Sequence, residues 1–214
     1  MLGTLVNVRA SLNLEPRYNI APTQMAPVVR PAAGGRRMDM LRWGLIPSWS
    51  KDKTIGPKLI NARGETVAQK SSFWEAYEQR RCLVPVDGFY EWRRESGVKQ
   101  PFRIGLKGGA PFAFAGLWES WKVPADQKNA GEVIESYTII TAEANEKIAP
   151  IHHRMPVIVG PGDYELWLTG PTEKAANVIR ACPSGDMAFY RVSTRVNNVR
   201  NDDEFCIEPL KRAS

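Results

Sequence analysis

Hydrophobic positions recur along the chain mostly in short runs separated by Gly, Pro and polar turns, the pattern of strands joined by hairpins. Met25–Arg30 reads as a short strand, Gly34-Gly35-Arg36 as a turn, and Met38–Trp43 as a second strand. Trp43–Lys58 reads as a loop, because Pro47 and Pro57 exclude a regular helix interior. Ser72-Phe73-Trp74-Glu75 has the form of a capping box, which predicts a helix from Ser72 to Arg80. Cys82–Val86 and Phe89–Arg94 are rich in β-formers, and Glu95-Ser96-Gly97 turns the chain into Pro101–Leu106. Lys107-Gly108-Gly109 turns it again into Phe112–Trp118, with Phe112, Phe114 and Trp118 on one face. Residues 123–132 are polar and predict a flexible surface loop. Tyr137–Thr141 and Met155–Val159 predict further strands. Pro161-Gly162 and Pro171 introduce two predicted helices, Asp163–Leu168 and Thr172–Cys182, with Asp163 and Thr172 as N-caps. Phe189–Ser193 and Phe205–Pro209 predict short closing strands. No internal repeat is present. The sum is one α+β domain over residues 1–214: an antiparallel, partly closed, barrel-like sheet with a few flanking helices.

Composition narrows the class. A chain of 214 residues with 43% hydrophobic content can bury a substantial core. No stretch of about 18 apolar residues occurs, so no membrane span is expected. The start, Met1-Leu2-Gly3-Thr4-Leu5-Val6, lacks the features of a signal peptide. Cys82, Cys182 and Cys206 are odd in number and widely spaced, which fits a reducing cytoplasm rather than a disulfide framework. No CxxC or His-x-x-x-His spacing offers a metal site, and no cofactor is expected. A monomer is expected. The net charge of +6 raises the odds of a polyanionic partner.

Chemistry concentrates in three short segments: Asn61-Ala62-Arg63-Gly64-Glu65, Gly88-Phe89-Tyr90-Glu91-Trp92 and Ile151-His152-His153-Arg154-Met155-Pro156. They hold the chain's only two histidines. Proton transfer on a negatively charged substrate suits that inventory. Histidine has an ordinary pKa of about 6.5 and exchanges protons near neutrality. A carboxylate buried near Phe89, Tyr90 and Trp92 would titrate high, so Glu91 is a candidate proton shuttle. Arg36, Arg37, Arg42, Arg63, Arg93, Arg94 and Arg154 interleave with Trp43, Trp49 and Trp92, the composition of a single-strand nucleic-acid groove. Each residue also has an ordinary reading. Asn61 also reads as a turn amide and Glu91 as a partner of Arg93 or Arg63, while Glu65 reads first as an arginine's structural partner. His152 also reads as a satisfied buried histidine, and His153 reads as that ahead of a catalytic group.

The chain resembles the SOS-response-associated peptidase (SRAP) family of abasic-site processing proteins. The resemblance rests on blocks in family order: Pro16–Thr23, Trp43–Pro47, Ile60–Thr66, Pro85–Trp92, Thr141–Asn145, Ile151–Pro156 and Val192–Asn198. It implies binding of single-stranded DNA that carries an abasic site, with covalent capture of the sugar aldehyde. In the family an N-terminal cysteine attacks: its amine condenses with the aldehyde and its thiol closes a thiazolidine ring. The same cysteine is implicated in self-removal of the start of the chain. Carried over residue by residue, the resemblance makes Asn61, Glu91 and His152 catalytic. Asn61 sits beside the linked sugar, Glu91 orients the amine and moves protons, and His152 assists ring opening. Arg63 holds a DNA phosphate, and Trp49 and Arg154 contact DNA.

The start departs from the family. Where members begin Met-Cys-Gly-Arg, this chain reads Met1-Leu2-Gly3-Thr4, and none of the other cysteines is an evident substitute. Either the true start lies upstream, or the chain is a variant without the nucleophile. A Schiff base through the α-amine of Met1 is the chemistry then left. Three functions stay open: an abasic-site crosslinking or lyase enzyme, a single-strand DNA binder without catalysis, and a peptidase acting on other proteins.

Overall fold

The computed structural model describes residues 14–95 and 97–210; Met1, Leu2 and Ser96 fall outside them. The strands are β1 (Met25–Ala32), β2 (Gly35–Trp43), β3 (Asn61–Arg63), β4 (Arg81–Val86), β5 (Phe89–Glu95), β6 (Val98–Leu106), β7 (Phe112–Lys122), β8 (Val133–Glu143), β9 (Arg154–Pro156), β10 (Ile158–Val159) and β11 (Met187–Arg191). The α-helices are α1 (Trp74–Gln79), α2 (Tyr164–Thr169) and α3 (Thr172–Ala175).

The larger sheet runs β10-β7-β4-β1-β2-β8-β3, and an added β7–β8 pairing closes β7, β4, β1, β2 and β8 on themselves. This is the barrel-like closure and α+β class that the pattern predicts. The sheet is mixed rather than wholly antiparallel, because β8 takes β2 and β3 as parallel neighbours. Those pairings follow from the chain path. After β2, residues 44–60 cross over so that β3 rejoins the same edge of β8, which a hairpin cannot do. Arg30 helps to close the barrel. It is buried, and its guanidinium bridges Asp39 on β2 and Glu135 on β8, each at 2.6 Å, while lying 4.3 Å over the Trp118 ring.

Side chains alternate across the barrel wall, as strand geometry requires. Val29, Leu83, Ala113, Ala115, Leu117 and Ile140 face α1 and α2. Val28, Leu41, Cys82, Val84, Phe112, Phe114 and Tyr137 face the other way. A second antiparallel sheet, β11-β6-β5, docks through Phe89, whose ring meets Phe114 edge-on at 5.6 Å. Phe102, Ile104, Ile148, Ile151, Met155 and Met187 make a small core beneath that junction.

Several boundaries differ from the pattern reading. The capping box does not form: α1 starts after Phe73 with no side-chain cap. The preceding turn runs on through Ser72, with Phe73 and Trp74 N–H both donating to the Lys70 carbonyl, so the N-cap position falls on Phe73. Asp163 is the N-cap residue of α2 as expected, but its side chain makes no cap hydrogen bond and pairs with Arg180 instead. Pro171, not Thr172, is the cap of α3, which gives way to a 3-10 turn at Ala176–Val178 and stops short of Cys182. Met155–Val159 splits in two at Val157. There the chain leaves β8 for β7, with Val157 N–H bonded to Ile140 and its carbonyl accepting from Ala115. Phe205–Pro209 is a 3-10 turn at Glu204–Cys206 plus a single bridge from Val192 to Pro209. Residues 123–132 form a turn-rich connection closed by Val123 N–H to the Glu132 carbonyl at 2.8 Å, with Val123 itself buried.

Candidate functional site

β3 and β9 flank the C-terminal half of β8 on opposite edges. Asn61 pairs with Ile139, Arg63 with Thr141, Thr141 with Pro156, and Glu143 with Arg154. Paired residues share a face, and faces alternate every residue, so Asn61, Arg63, Glu143 and Arg154 project from the same side. Ala62 between them is buried in the main core. β3 escapes the pattern reading because three residues carry too little periodicity to mark a strand. A close approach of glycines aims the crossover that delivers it. Gly44 has φ +113°, and a Cβ there would lie 2.7 Å from the Gly56 carbonyl oxygen.

Glu91 and His152 come together across the junction of the two sheets. Glu91 lies on β5 in register with Phe102, and His152 follows the turn that leads into β9. His152 Nδ1 stands 3.6 Å from Glu91 Oε1, with side chains 37% and 22% exposed. Burial pushes the Glu91 carboxyl above the usual carboxylate range, opposed by the His152 charge and the Trp92 N–H. The expected aromatic surround is only partly present. Strand alternation turns Tyr90 and Trp92 away, toward Val192, Val196 and Cys206, and leaves Phe89 and Phe102 on the Glu91 side.

The His152 ring is oriented by its neighbours. Nδ1 lies 2.9 Å from the Arg154 carbonyl oxygen and 3.2 Å from the Arg154 amide nitrogen. The two contacts belong to different tautomers: the shorter forms when Nδ1 carries the proton, which leaves Nε2 as the accepting nitrogen of the neutral ring, and the longer forms when Nδ1 accepts from the Arg154 N–H. Asn145 builds the turn beneath it. Its Oδ1 accepts from the Lys147 and Ile148 amides and its Nδ2 donates to Cys182, while His152 N–H reaches the Ile148 carbonyl at 3.1 Å. Asn145 belongs to the Thr141–Asn145 block, so that block serves the site by shaping the approach to His152.

The Arg154 guanidinium is engaged within the chain. It meets Glu65 with both ends at 2.9 Å and donates to the Thr141 carbonyl at 2.6 Å. Glu65 is thus an arginine's partner, and that partner holds its carboxyl below the usual range. Thr141, which joins this network, is the site residue that motif reading misses; its place at the head of a family block is the available signal. Arg63, Glu143, Ala144, His153 and Arg154 line an open cleft of about 350 Å³. His153 is exposed rather than buried, its ring 4.5 Å from that of His152. Asn61 and Arg63 are exposed, and no hydrogen bond among the described residues joins Asn61 to Glu91 or His152. Trp49 is 56% exposed and is held by its Nε1–H to the Ser71 carbonyl at 3.2 Å. Of the alternative partners for Glu91, Arg93 pairs with Glu95 instead.

Other blocks are structural. Asn19 is buried and donates to the carbonyls of Val196, Asn198 and Asn201, which ties Pro16–Thr23 to the C-terminal segment. Cys82 and Cys206 are buried, and burial raises the Cys82 and Cys182 thiols. Among the described residues, no cluster of His, Cys, Asp and Glu is arranged to hold a metal ion, and no helix is long and apolar enough to cross a membrane.

Known proteins share this architecture. A solved structure of a protein from Bacteroides thetaiotaomicron superposes with a TM-score of 0.78 at 28% identity, covering 88% of this chain and 82% of that one. The abasic site processing protein YoqW of Bacillus subtilis (strain 168) is 41% identical over 198 residues, spanning 90% of this chain and 86% of its own length. The abasic site processing protein HMCES of Gallus gallus is 36% identical over 230 residues, spanning 92% of this chain and 67% of its own. The family model for SOS response associated peptidase matches residues 3–199, and with it the chain belongs to the SRAP family.

Proposed function

We propose that this chain captures abasic sites in single-stranded DNA through covalent chemistry on the ring-opened sugar. The observation that supports it most is the Glu91–His152 pair, 3.6 Å apart beside the arginine-lined cleft. The relatives' names supply the substrate class.

An abasic sugar rests mainly as a cyclic hemiacetal. Opening it moves one proton off the anomeric hydroxyl and one onto the ring oxygen, which suits a group that both accepts and donates at Nε2. Glu91, with its carboxyl raised by burial, holds the second proton position. An amine then adds to the aldehyde, and loss of water gives the imine. An α-amine, with a pKa of about 7.7–8.0, is partly neutral at pH 7 and is the amine best suited to attack. In a chain that starts at Met1-Leu2, the product is an imine that borohydride traps. In a chain that starts with cysteine, the thiol adds to the imine carbon and the adduct survives without reductant. Cys82 and Cys206 are buried and Cys182 is partly buried with its thiol raised, so none supplies that thiol.

Arg63 takes a DNA phosphate and Trp49 offers its exposed face to a base. Arg154 stands in the cleft wall with its guanidinium fork already taken by Glu65 and Thr141, so it offers DNA no free fork. Arg63→Ala is expected to lower the magnitude of the log–log salt slope of single-strand binding by about 0.7. Fluorescence anisotropy over a salt series measures it, and an unchanged slope removes Arg63 from the phosphate path.

A denaturing gel of the chain mixed with abasic single-stranded DNA, with and without borohydride, tests the whole reading. A shifted band that requires borohydride is the expected result. No band in either lane, with intact and abasic strands bound alike, leaves a binding protein without catalysis. Turnover of an added peptide, abolished by Glu91→Ala, would instead favour a peptidase.

A further inference from the structure

We infer that Glu65 is a positioning residue for His152, acting through Arg154. This rests on the reading of His152 as the group that moves protons. The backbone of Arg154 is what orients the imidazole, since its carbonyl and amide both face His152 Nδ1, at 2.9 and 3.2 Å. The side chain of the same residue is what anchors that backbone. Glu65 grips the guanidinium with two parallel bonds of 2.9 Å, and Thr141 adds its carbonyl at 2.6 Å and its hydroxyl at 3.2 and 3.3 Å.

The anchor ties together backbone on the β3, β8 and β9 sides of the site. The Thr141 carbonyl also accepts from Gly64 N–H at 2.9 Å, so both of its lone pairs are used, one toward the β3 side and one toward β9. Glu65 follows directly on that Gly64. The fork-to-fork geometry fixes a plane as well as a distance, which a single bond would not. The chain of contacts therefore runs from Glu65 to the Arg154 guanidinium, along one residue of backbone, to Nδ1 of His152. It holds the ring so that Nδ1, when protonated, donates to the Arg154 carbonyl with Glu91 Oε1 3.6 Å away, and Nε2 is then the nitrogen left for the substrate. Neutralised by Glu65, Arg154 serves the site by geometry more than by charge.

Two measurements on the same variants test this. The first is ¹⁵N NMR of the histidine side chains under conditions where the ring is neutral, with His152 assigned from a His152→Gln variant. Nδ1–H is expected in the parent chain, and a mixture of tautomers in Glu65→Ala. The second is the rate of borohydride-trapped adduct on abasic single-stranded DNA. At saturating DNA it is expected to fall roughly 10- to 100-fold in Glu65→Ala, with half-saturation unchanged. Glu65→Gln, which keeps one accepting oxygen, is expected to fall between, and it carries the test should Glu65→Ala not fold. An unchanged tautomer or an unchanged saturated rate overturns the inference. So does a loss confined to half-saturation with an altered salt slope, which would place the Glu65–Arg154 pair on the DNA. If the parent chain forms no adduct, the proposed function fails, and the tautomer alone decides the role of Glu65.

Discussion

Glu91→Gln is expected to slow borohydride-trapped adduct formation by roughly 100- to 10,000-fold, the range that positioned proton transfer contributes. The substitution keeps shape and removes the titrating group. Glu91 is held by β5 pairing, with Phe89 and Phe102 on its side of the strand, so the glutamine has no reason to leave its place. What it cannot do is take a proton and return it. Single-turnover trapping on abasic single-stranded DNA measures the effect, and affinity for intact strands is expected to stay within about twofold, as exposed Arg63 and Trp49 are untouched. Stability should move the opposite way. Burial raises the folded-state pKa of Glu91, so the native state prefers the protonated form. Its contribution to stability is full below the unfolded carboxylate value of about 4.3 and is lost as pH rises through the folded value. Glu91→Gln escapes that loss. Its Tm is therefore expected to exceed the parent's at neutral pH, and the gap to close on acidification toward pH 4. A gap that is independent of pH would mean that Glu91 is not desolvated.

Trp167→Ala is expected to cost about 3–5 kcal/mol in urea denaturation. Trp167 on α2 is 0% exposed and lies within the core between the helices and the barrel wall. Its Nε1–H donates to the Cys82 carbonyl at 2.8 Å, which ties α2 to β4. The Tyr77 ring lies 6.2 Å away, and the Arg81 guanidinium stands 5.9 Å over the indole. Truncation removes the apolar volume and the hydrogen bond that ties α2 to β4. Trp167→Phe separates the two effects: it retains most of the volume, and its expected cost of about 1–3 kcal/mol reflects the lost hydrogen bond. Because α2 packs on the face of the wall opposite Tyr137 and Phe114, folded Trp167→Phe should retain the parent's trapping rate. A variant that kept its stability but lost trapping would contradict that separation.

Much of the fold is legible in local pattern because hairpin strands record themselves locally. β1 and β2 flank Gly34, whose φ of +79° a turn requires, and their register from Met25↔Arg42 to Ala32↔Gly35 follows from that turn. β5, β6 and β7 announce themselves in the same way. The elements that pattern misplaces are set by partners distant in sequence. β3 is three residues long and exists as a strand because β8 supplies its hydrogen bonds. The split at Val157 exists because two different strands claim its two sides. Ser72 has the right spacing for a capping box, yet α1 starts one residue later, after Phe73, on a turn whose Phe73 and Trp74 N–H groups donate to the Lys70 carbonyl.

By itself the sequence determined the strand-rich α+β class, the family, and the residue types of the site, because alternation, turn chemistry and ordered motif blocks are properties of neighbours along the chain. Only the tertiary structure decided which of those residues meet. It set Glu91 against His152, gave Arg154 to Glu65 and Thr141, turned Tyr90 and Trp92 away from the carboxylate, and left Arg63 exposed on the cleft. Those choices depend on strand register and on the docking of the second sheet at Phe89, where a shift of one residue would reverse every face.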